Sequence, residues 1–352
     1  MLCQMNTEKN IEKNSAETTE KNSEKILDVH CHLLEFGDST KGFLREDFRN
    51  SIKARTYLRT AGIIDVPTWL GAKKIKDYDF LNESFQESLL SKIEHSSLSH
   101  AVVLALDGVY DDKGVFDKRK TAFYVPNESV MQLNKKSNKT LFGASINPLR
   151  RDWEDELDKC IEKNPALIKW LPNVMGFDPA DKKIIKFYEK IAETQIPLLT
   201  HVGFEYAAPR INDTYTDLSH ITLPLEMGVK VIAAHCCGGR PFIDSEKMFQ
   251  DVVLMTEKYP NMYLDVAATG SIHRRARLSK SLRNEKTNER LLYGTDFPIP
   301  VHPWAFPELE NEYFRTSKNY FDCDIAIKRA MGLSCEEFSR GYKIINPKSF
   351  NI

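Results

Sequence analysis

Short apolar runs separated by longer amphipathic stretches set the rhythm of this chain. Ile26-Leu27 leads into Asp28-Val29-His30-Cys31-His32, and further runs follow at 101–106, 141–148, 166–172, 197–201, 229–235, 262–268 and 291–296. Because these runs are continuous rather than alternating, they read as strands buried on both faces, the pattern of a parallel sheet. The stretches between them carry helical spacing. Leu81, Phe85, Leu89 and Ile93 recur every four residues within 79–97, and Trp153, Leu157, Cys160 and Ile161 share one face of the next candidate helix. Asp178 as N-cap, Pro179 in the first turn and Asp181 against the helix dipole predict a helix that buries Ile184, Ile185, Tyr188 and Ile191. A short helix over 221–227 and the segment 246–258, which carries Met248, Val252 and Met255, continue the alternation. The basic stretch Arg274, Arg275, Arg277, Lys280, Arg283 lacks clear periodicity.

Eight strands alternating with helices over roughly 270 residues predict an α/β fold of the (β/α)₈ TIM-barrel type, with a doubly wound sheet as the fallback. Residues 26–352 are expected to form one domain. Ahead of it, residues 1–25 are Lys-, Asn-, Glu-, Ser- and Thr-rich with Glu-Lys-Asn recurring, and they read as a mobile, disordered polar tail. The segment from about 33 to 78 is long enough to lie over the end of the first strand as a lid or pocket wall. From about Trp304 the chain reads as a helical C-terminal extension, with a helix around Ile325 to Met331.

The totals of this 352-residue chain narrow the partners. Lys plus Arg (49) nearly balances Asp plus Glu (50), for a net charge of −1, so no nucleic-acid or acidic-membrane partner is expected. No apolar run approaches the ~18 residues of a membrane span. Seven cysteines without Cys-x-x-Cys spacing suit reduced thiols, and Met1 to Met5 is too short for the apolar core of a signal peptide, so the cytoplasm is expected. A homo-oligomer is left open.

The candidate chemistry sits at strand ends. Successive strand side chains alternate faces, so His30 and His32 share one face while Cys31 looks away. A lone strand histidine is more often a satisfied core residue than a ligand. Here, however, His201, His235 and Asp296 end three later runs in the same way, and barrel closure brings all carboxyl ends of the strands to one face. Four imidazoles and a carboxylate there suit Zn²⁺ first, with Mn²⁺, Fe²⁺, Co²⁺ or Ni²⁺ as further occupants. Asp107 and Asp265 near strand ends read as partners orienting an imidazole or as structural groups. Trp170, Phe204 and Tyr206 are candidates to line an apolar pocket, and Arg210, Arg274 and Arg275 to bind a substrate carboxylate.

In order, His30-x-His32, Lys169, His201, His235-Cys-Cys-Gly-Gly and Gly294-Thr295-Asp296-Phe297-Pro298 resemble the amidohydrolase superfamily of metal-dependent barrel enzymes. The last two motifs are similar to its branch that includes aminocarboxymuconate semialdehyde decarboxylase and related lactone hydrolases. The resemblance implies that His30, His32 and Asp296 hold a buried metal. In one-metal members His201 would be a further ligand and His235 an acid or polarising group. In two-metal members a carboxylated Lys169 would bridge the ions, with His201 and His235 on the second. Lys169 in a strand core needs an explanation in any case: carboxylation, a salt bridge to Asp107 or Asp265, or a grip on an anionic substrate.

Three readings follow. The first is a divalent-metal-dependent hydrolase acting on an amide, ester or lactone, with Asp296 orienting and deprotonating water and His235 polarising the carbonyl. The second is a non-oxidative decarboxylase on the same metal site, taking a small-molecule carboxylate, and the third is a metal-bound scaffold without turnover. The loops at 33–78, 107–140 and 269–289 carry no motif that names a substrate.

Overall fold

The computed structural model describes residues 25–37, 42–71, 77–238, 245–306 and 319–350. The polar tail, with the exception of Lys25, lies outside the described residues, as does Gly239 of the sixth-strand motif. Among the described residues ten strands occur, labelled in chain order: β1 (Leu27–His32), β2 (Phe43–Leu44), β3 (His100–Leu104), β4 (Phe123–Tyr124), β5 (Thr140–Ala144), β6 (Leu167–Trp170), β7 (Leu198–Thr200), β8 (Val231–Ala233), β9 (Met262–Asp265) and β10 (Leu291–Leu292).

Eight of them form one parallel sheet in the order β1-β3-β5-β6-β7-β8-β9-β10. The sheet closes on itself. Val29 N donates to Tyr293 O at 3.0 Å, Asp296 N to His30 O at 2.7 Å, and His32 N to Phe297 O at 2.8 Å. The result is the (β/α)₈ barrel expected from the strand–helix alternation, and β2 and β4 pair antiparallel outside it.

The barrel wall divides the apolar core in two. Leu27, Val29, Leu104, Leu167, Leu199, Ile232 and Leu292 fill the interior, where Ile344 and Ile345 join them from the C-terminus. A larger cluster lies between the strands and the surrounding helices. Each large side chain taken from water contributes about 1.5–3 kcal/mol, and the continuous apolar strands feed both layers at once.

Most helices fall where the periodicity puts them. Tyr78–Glu94 is capped by Asp77, whose side chain accepts from Phe80 N, and it buries Leu81, Phe85, Leu89 and Ile93. Other elements differ from expectation. Asp178 is not a helix cap: its Oδ1 is engaged by Ala180 N and by His220 Nδ1 at 2.6 Å, and Asp181 caps the helical turn three residues later. In Glu246–Lys258 the buried face is Phe249, Val252, Val253 and Thr256, with Met248 turned outward. The basic stretch is a helix, Arg275–Arg283, that buries Arg277 and Leu278, a face too mixed in polarity to read as periodic. Trp170 points out of the barrel rather than toward the site, its indole donating to Ile146 O and packed on Phe177, Phe187 and Tyr188.

The C-terminal extension does more than flank the barrel. Helix Cys335–Ile344, opened by a Ser334/Glu337 capping box, presents Gly341 to Leu27 and Val29 so closely that a β-carbon would lie 2.9 Å from each side chain. It seals the amino ends of the strands. Helix Tyr320–Ala330 places Lys328 Nζ 2.5 Å from Gly294 O and 2.7 Å from Asp324 Oδ2, where Tyr293 OH also donates to Asp324. Both members of the ion pair are fully buried. Among the described residues no helix is long and apolar enough to cross a membrane.

Two stability predictions follow from this packing. Lys328→Met strands the Asp324 charge and is expected to lower unfolding free energy by about 3–5 kcal/mol; in urea titrations, adding Asp324→Asn should recover part of it. Glu35, buried beside Gly42, has a carboxyl pushed by burial up to about 7, against the opposing hydrogen bonds of Ser129 and Gln86. A carboxyl whose folded pKa is raised contributes its full stability below the unfolded value near 4.5 and loses it as pH rises toward 7. Melting temperature should therefore fall over that window, and Glu35→Gln should flatten the fall.

Candidate metal centre

Six side chains from five strand ends meet at the carboxyl face. His30 and His32 sit on β1, Lys169 on β6, His201 directly after β7, His235 two residues after β8, and Asp296 four residues after β10. His30 Nε2 lies 3.2 Å from His32 Nε2, 3.0 Å from Lys169 Nζ and 3.3 Å from Asp296 Oδ1; His32 Nε2 is also 3.3 Å from Asp296 Oδ1. His235 Nε2 stands 3.8 Å from Asp296 Oδ2. His201 joins edgewise, its ring centroid 5.0 Å from that of His235.

The groups behind the imidazoles decide which nitrogen carries the proton. His30 Nδ1 donates to Asp265 Oδ2 at 2.7 Å, His235 Nδ1 to the carbonyl of Ala267 at 3.0 Å, and His201 Nδ1 faces Glu205 Oε2 at 3.2 Å. A carbonyl can only accept, so His235 is protonated on Nδ1 and bare on Nε2. His30 and His201 follow the same logic. Burial holds all three rings neutral: His30 and His235 are driven well below the usual imidazole range and His201 down to about 4. Burial also opposes the charge on Asp296, but the His32 hydrogen bond and the Lys169 charge help keep the carboxyl below its usual range.

This arrangement is electrostatically incomplete. His30 Nε2 meets Lys169 Nζ as well as Asp296, but the unprotonated Nε2 of His235 faces the Asp296 carboxylate, and the buried His201 Nε2 has no hydrogen-bond partner among the described residues. A divalent cation supplies what is missing. Zinc bonds of ~2.0–2.1 Å in a tetrahedron put ligand atoms ~3.3 Å apart, and the His30, His32 and Asp296 atoms stand 3.2–3.3 Å from one another. His30, His235 and Asp296 offer ligand atoms all within 4.8 Å, so the cluster fits a metal.

The backbone pays for this convergence. His235, Cys236 and Cys237 are consecutively left-handed (φ 59°, 52° and 52°), and Asp296 has φ 64°. Such residues cost about 1–3 kcal/mol each. His235 N on Asp265 Oδ1 at 2.7 Å and Asp296 N on His30 O hold two of them. Gly294 is dictated by closeness, since a β-carbon there would stand 2.9 Å from His30 Cβ.

Lys169 Nζ is fully buried, and burial brings it down to about 8 despite the Asp296, Asp265 and Glu205 charges. Neither salt-bridge partner suggested by the sequence takes it. Asp107 pairs with Arg150 at 3.3 Å and accepts from Asn147 N, while Asp265 is engaged by His30, His235 N and Ala267 N. The sequence reading missed Glu205, whereas Tyr57 belongs to the segment read as a pocket wall. Glu205 follows His201 by four residues, a spacing that signals contact only when the chain turns there.

Two hollows adjoin the cluster. An inner one of about 40 Å³ touches His30, His32, Lys169 and His201, and an outer one of about 250 Å³ opens past it. Tyr57, Glu205, Ala207 and Ile299 border both. The helix Ile52–Thr60 forms part of this wall, as expected of the 33–78 segment, with Lys53 Nζ on Tyr206 O and Tyr57 OH on Ala207 O.

A closed parallel barrel with a His/Asp cluster at its carboxyl end defines a class of metal-binding barrel proteins. The chain belongs to the amidohydrolase family, whose model matches residues 28–331. No curated protein matches it. Among solved structures, an uncharacterised TIM-barrel protein of Bordetella bronchiseptica is similar at TM-score 0.54 and 17% identity, covering 91% of this chain and 99% of that one. A Pseudomonas putida protein assigned as a 2-pyrone-4,6-dicarboxylic acid hydrolase is similar at TM-score 0.51 and 11% identity, covering 93% and 97%. At these identities the likeness is one of fold. The family's members are enzymes of small-molecule substrates.

Asp265 is expected to tune the cluster from behind. Asp265→Asn should weaken zinc affinity by about 10–100-fold while the far-ultraviolet circular dichroism stays native, as read by competition with a chromophoric chelator.

Proposed function

We propose that this protein is a metal-dependent hydrolase, with His30, His32, His201, His235 and Asp296 forming the ligand set around a divalent cation, Zn²⁺ first. One observation carries the reading: unprotonated Nε2 atoms of His30 and His235, their tautomers set by Asp265 and the Ala267 carbonyl, face the Asp296 carboxylate in a buried site. A bound divalent cation supplies Lewis acidity there, acidifying water to near neutrality and polarising a carbonyl.

The chain's own groups do the rest. Asp296 orients the attacking water, takes its proton and delivers it to the leaving nitrogen or oxygen as the acyl bond breaks. His235, with Nδ1 spent on Ala267 O and Nε2 bare, suits accepting a cation better than donating a proton, which moves it from the polarising role to the ligand role. Lys169, against His30 Nε2, either becomes an anionic ligand by carboxylation or holds a negative substrate group. The small inner hollow admits only the reacting group, so the body of the substrate rests in the outer one.

On a substrate bearing a ring or unsaturated carboxylate, the same site can protonate carbon and release carbon dioxide. The test is therefore a panel of esters, lactones, amides and unsaturated carboxylates with zinc-loaded protein, following acid release and carbon dioxide separately. Hydrolysis of at least one lactone, ester or amide is expected. His30→Ala should lose the metal by elemental analysis, whereas Asp296→Asn should keep the fold and lose about 10²–10⁴-fold in rate. Carbon dioxide as the sole product would replace hydrolase by decarboxylase; full activity in Asp296→Asn would remove Asp296 as the proton carrier.

A further inference from the structure

The methionines of helix Glu246–Lys258 have no part in the metal centre, and the fold gives them another setting. Met248 stands 40% exposed, and Met255 follows it by seven residues, two turns along the same face. Together with Leu218, Thr222 and the Val202–Gly203 turn that leaves β7, they line a hollow of about 570 Å³, against about 250 Å³ for the outer hollow beside the metal centre. Among the described residues it shares no lining residue with either hollow at the metal centre.

Its lining combines apolar side chains with negative charge. Leu254, 60% exposed, joins the two methionines, whose polarisable thioethers re-pack readily around an apolar guest. Asp251 lies three residues after Met248 and four before Met255, which puts its carboxylate on the methionine face, and Asp217 supplies a second carboxylate. Both aspartates are exposed. Among the described residues neither has an ion-pair or side-chain hydrogen-bond partner, and no lysine or arginine lines the hollow. Cys237, 4% exposed, reaches it from the turn after β8.

Size and charge narrow the ligand. The hollow, about 570 Å³, falls within the roughly 300–1,000 Å³ of small-molecule sites. Two carboxylates without a cation of their own attract a positive ligand and repel an anion of the same shape. Quaternary ammonium groups are held by aromatic faces, and among the described residues no aromatic side chain lines this hollow. A protonated amine has what the wall asks for: N–H groups that donate to Asp217 and Asp251 and to the hydroxyls of Ser219 and Thr222.

We propose that this hollow is a second ligand site, taking a small apolar amine as its ammonium, with the hydrocarbon against Met248, Leu254 and Met255 and the charge facing Asp217 and Asp251. The inference does not rest on the metal reading. Its occupant sits beside the turns that carry two imidazoles of the cluster, since Val202 and Gly203 directly follow His201 and Cys237 comes two residues after His235.

The test is calorimetric titration of full-length protein, zinc-loaded and chelator-stripped, with octylamine, octanol and octyltrimethylammonium near pH 7, alongside carbon-13 methyl spectra of methionine-labelled protein. Octylamine should bind both forms alike, about tenfold tighter than octanol or octyltrimethylammonium. Of the nine methionine methyl signals, those of Met248 and Met255, assigned with Met248→Leu and Met255→Leu, should move most. Hexylamine should bind about tenfold more weakly, each buried methylene being worth about fourfold. The double variant Asp217→Asn/Asp251→Asn should weaken octylamine about fivefold. The amine-to-alcohol ratio is read on the native protein, so a variant that fails to fold does not shelter the idea. No octylamine binding, equal binding of octanol or octyltrimethylammonium, binding that needs zinc, binding that leaves both methyl signals in place, or binding indifferent to the double variant would each overturn it.

Discussion

The seam where β10 meets β1 is the contact on which the site depends. Asp296 N donates to His30 O at 2.7 Å, joining residues from the two ends of the barrel through one backbone hydrogen bond. The same seam presses Gly294 against His30 and holds Asp296 in a left-handed conformation. Asp28 reinforces it from below by accepting from His30 N, Thr295 N and Thr295 Oγ1. Without closure the imidazoles of β1 and the carboxylate after β10 would lie at opposite edges of an open sheet. The barrel is thus a device for bringing remote side chains to one point.

Closure in turn leans on the C-terminal helices. Lys328 and Asp324 grip Gly294 O and Tyr293 OH, and helix Cys335–Ile344 blocks the amino ends of the strands while Tyr293 N donates to Glu337 O. Burying an ion pair gives little net stability. Its value here is directional, because it ties the strained turn at Gly294–Asp296 to a rigid helix. Function-bearing strain at the carboxyl face is balanced by packing at the other face, the usual division of labour in this fold.

Around the cluster, three of the four imidazoles have an acceptor behind them: the Asp265 carboxylate on β9 for His30, the Ala267 carbonyl for His235, and the Glu205 carboxylate beyond β7 for His201. Such partners fix the tautomer and aim the lone pair, so much of the chemistry resides behind the residues that face the ligand. Burial adds the second half of the arrangement. In so buried a site, a bare nitrogen such as His235 Nε2 beside a carboxylate is costly unless a cation lies between them.

Much of this was legible in the sequence. Continuous apolar runs identify strands buried on both faces, and their alternation with four-residue periodicity leads to a parallel barrel. The histidines, lysine and aspartate ending those runs mark the site, because strand ends meet at one face whatever the loops do. What the sequence left open depends on contacts between distant segments. Periodicity cannot say that Asp178 is diverted from capping by His220, that Arg275–Arg283 is helical despite its charges, or that Trp170 faces outward. Nor can it choose among Arg210, Arg274 and Arg275, since which guanidinium borders the outer hollow depends on neighbours supplied by other loops. Local pattern determined the fold and the kind of chemistry. Tertiary packing alone decided which nitrogen is bare and which guanidinium reaches the hollow, because those are properties of who is adjacent in space.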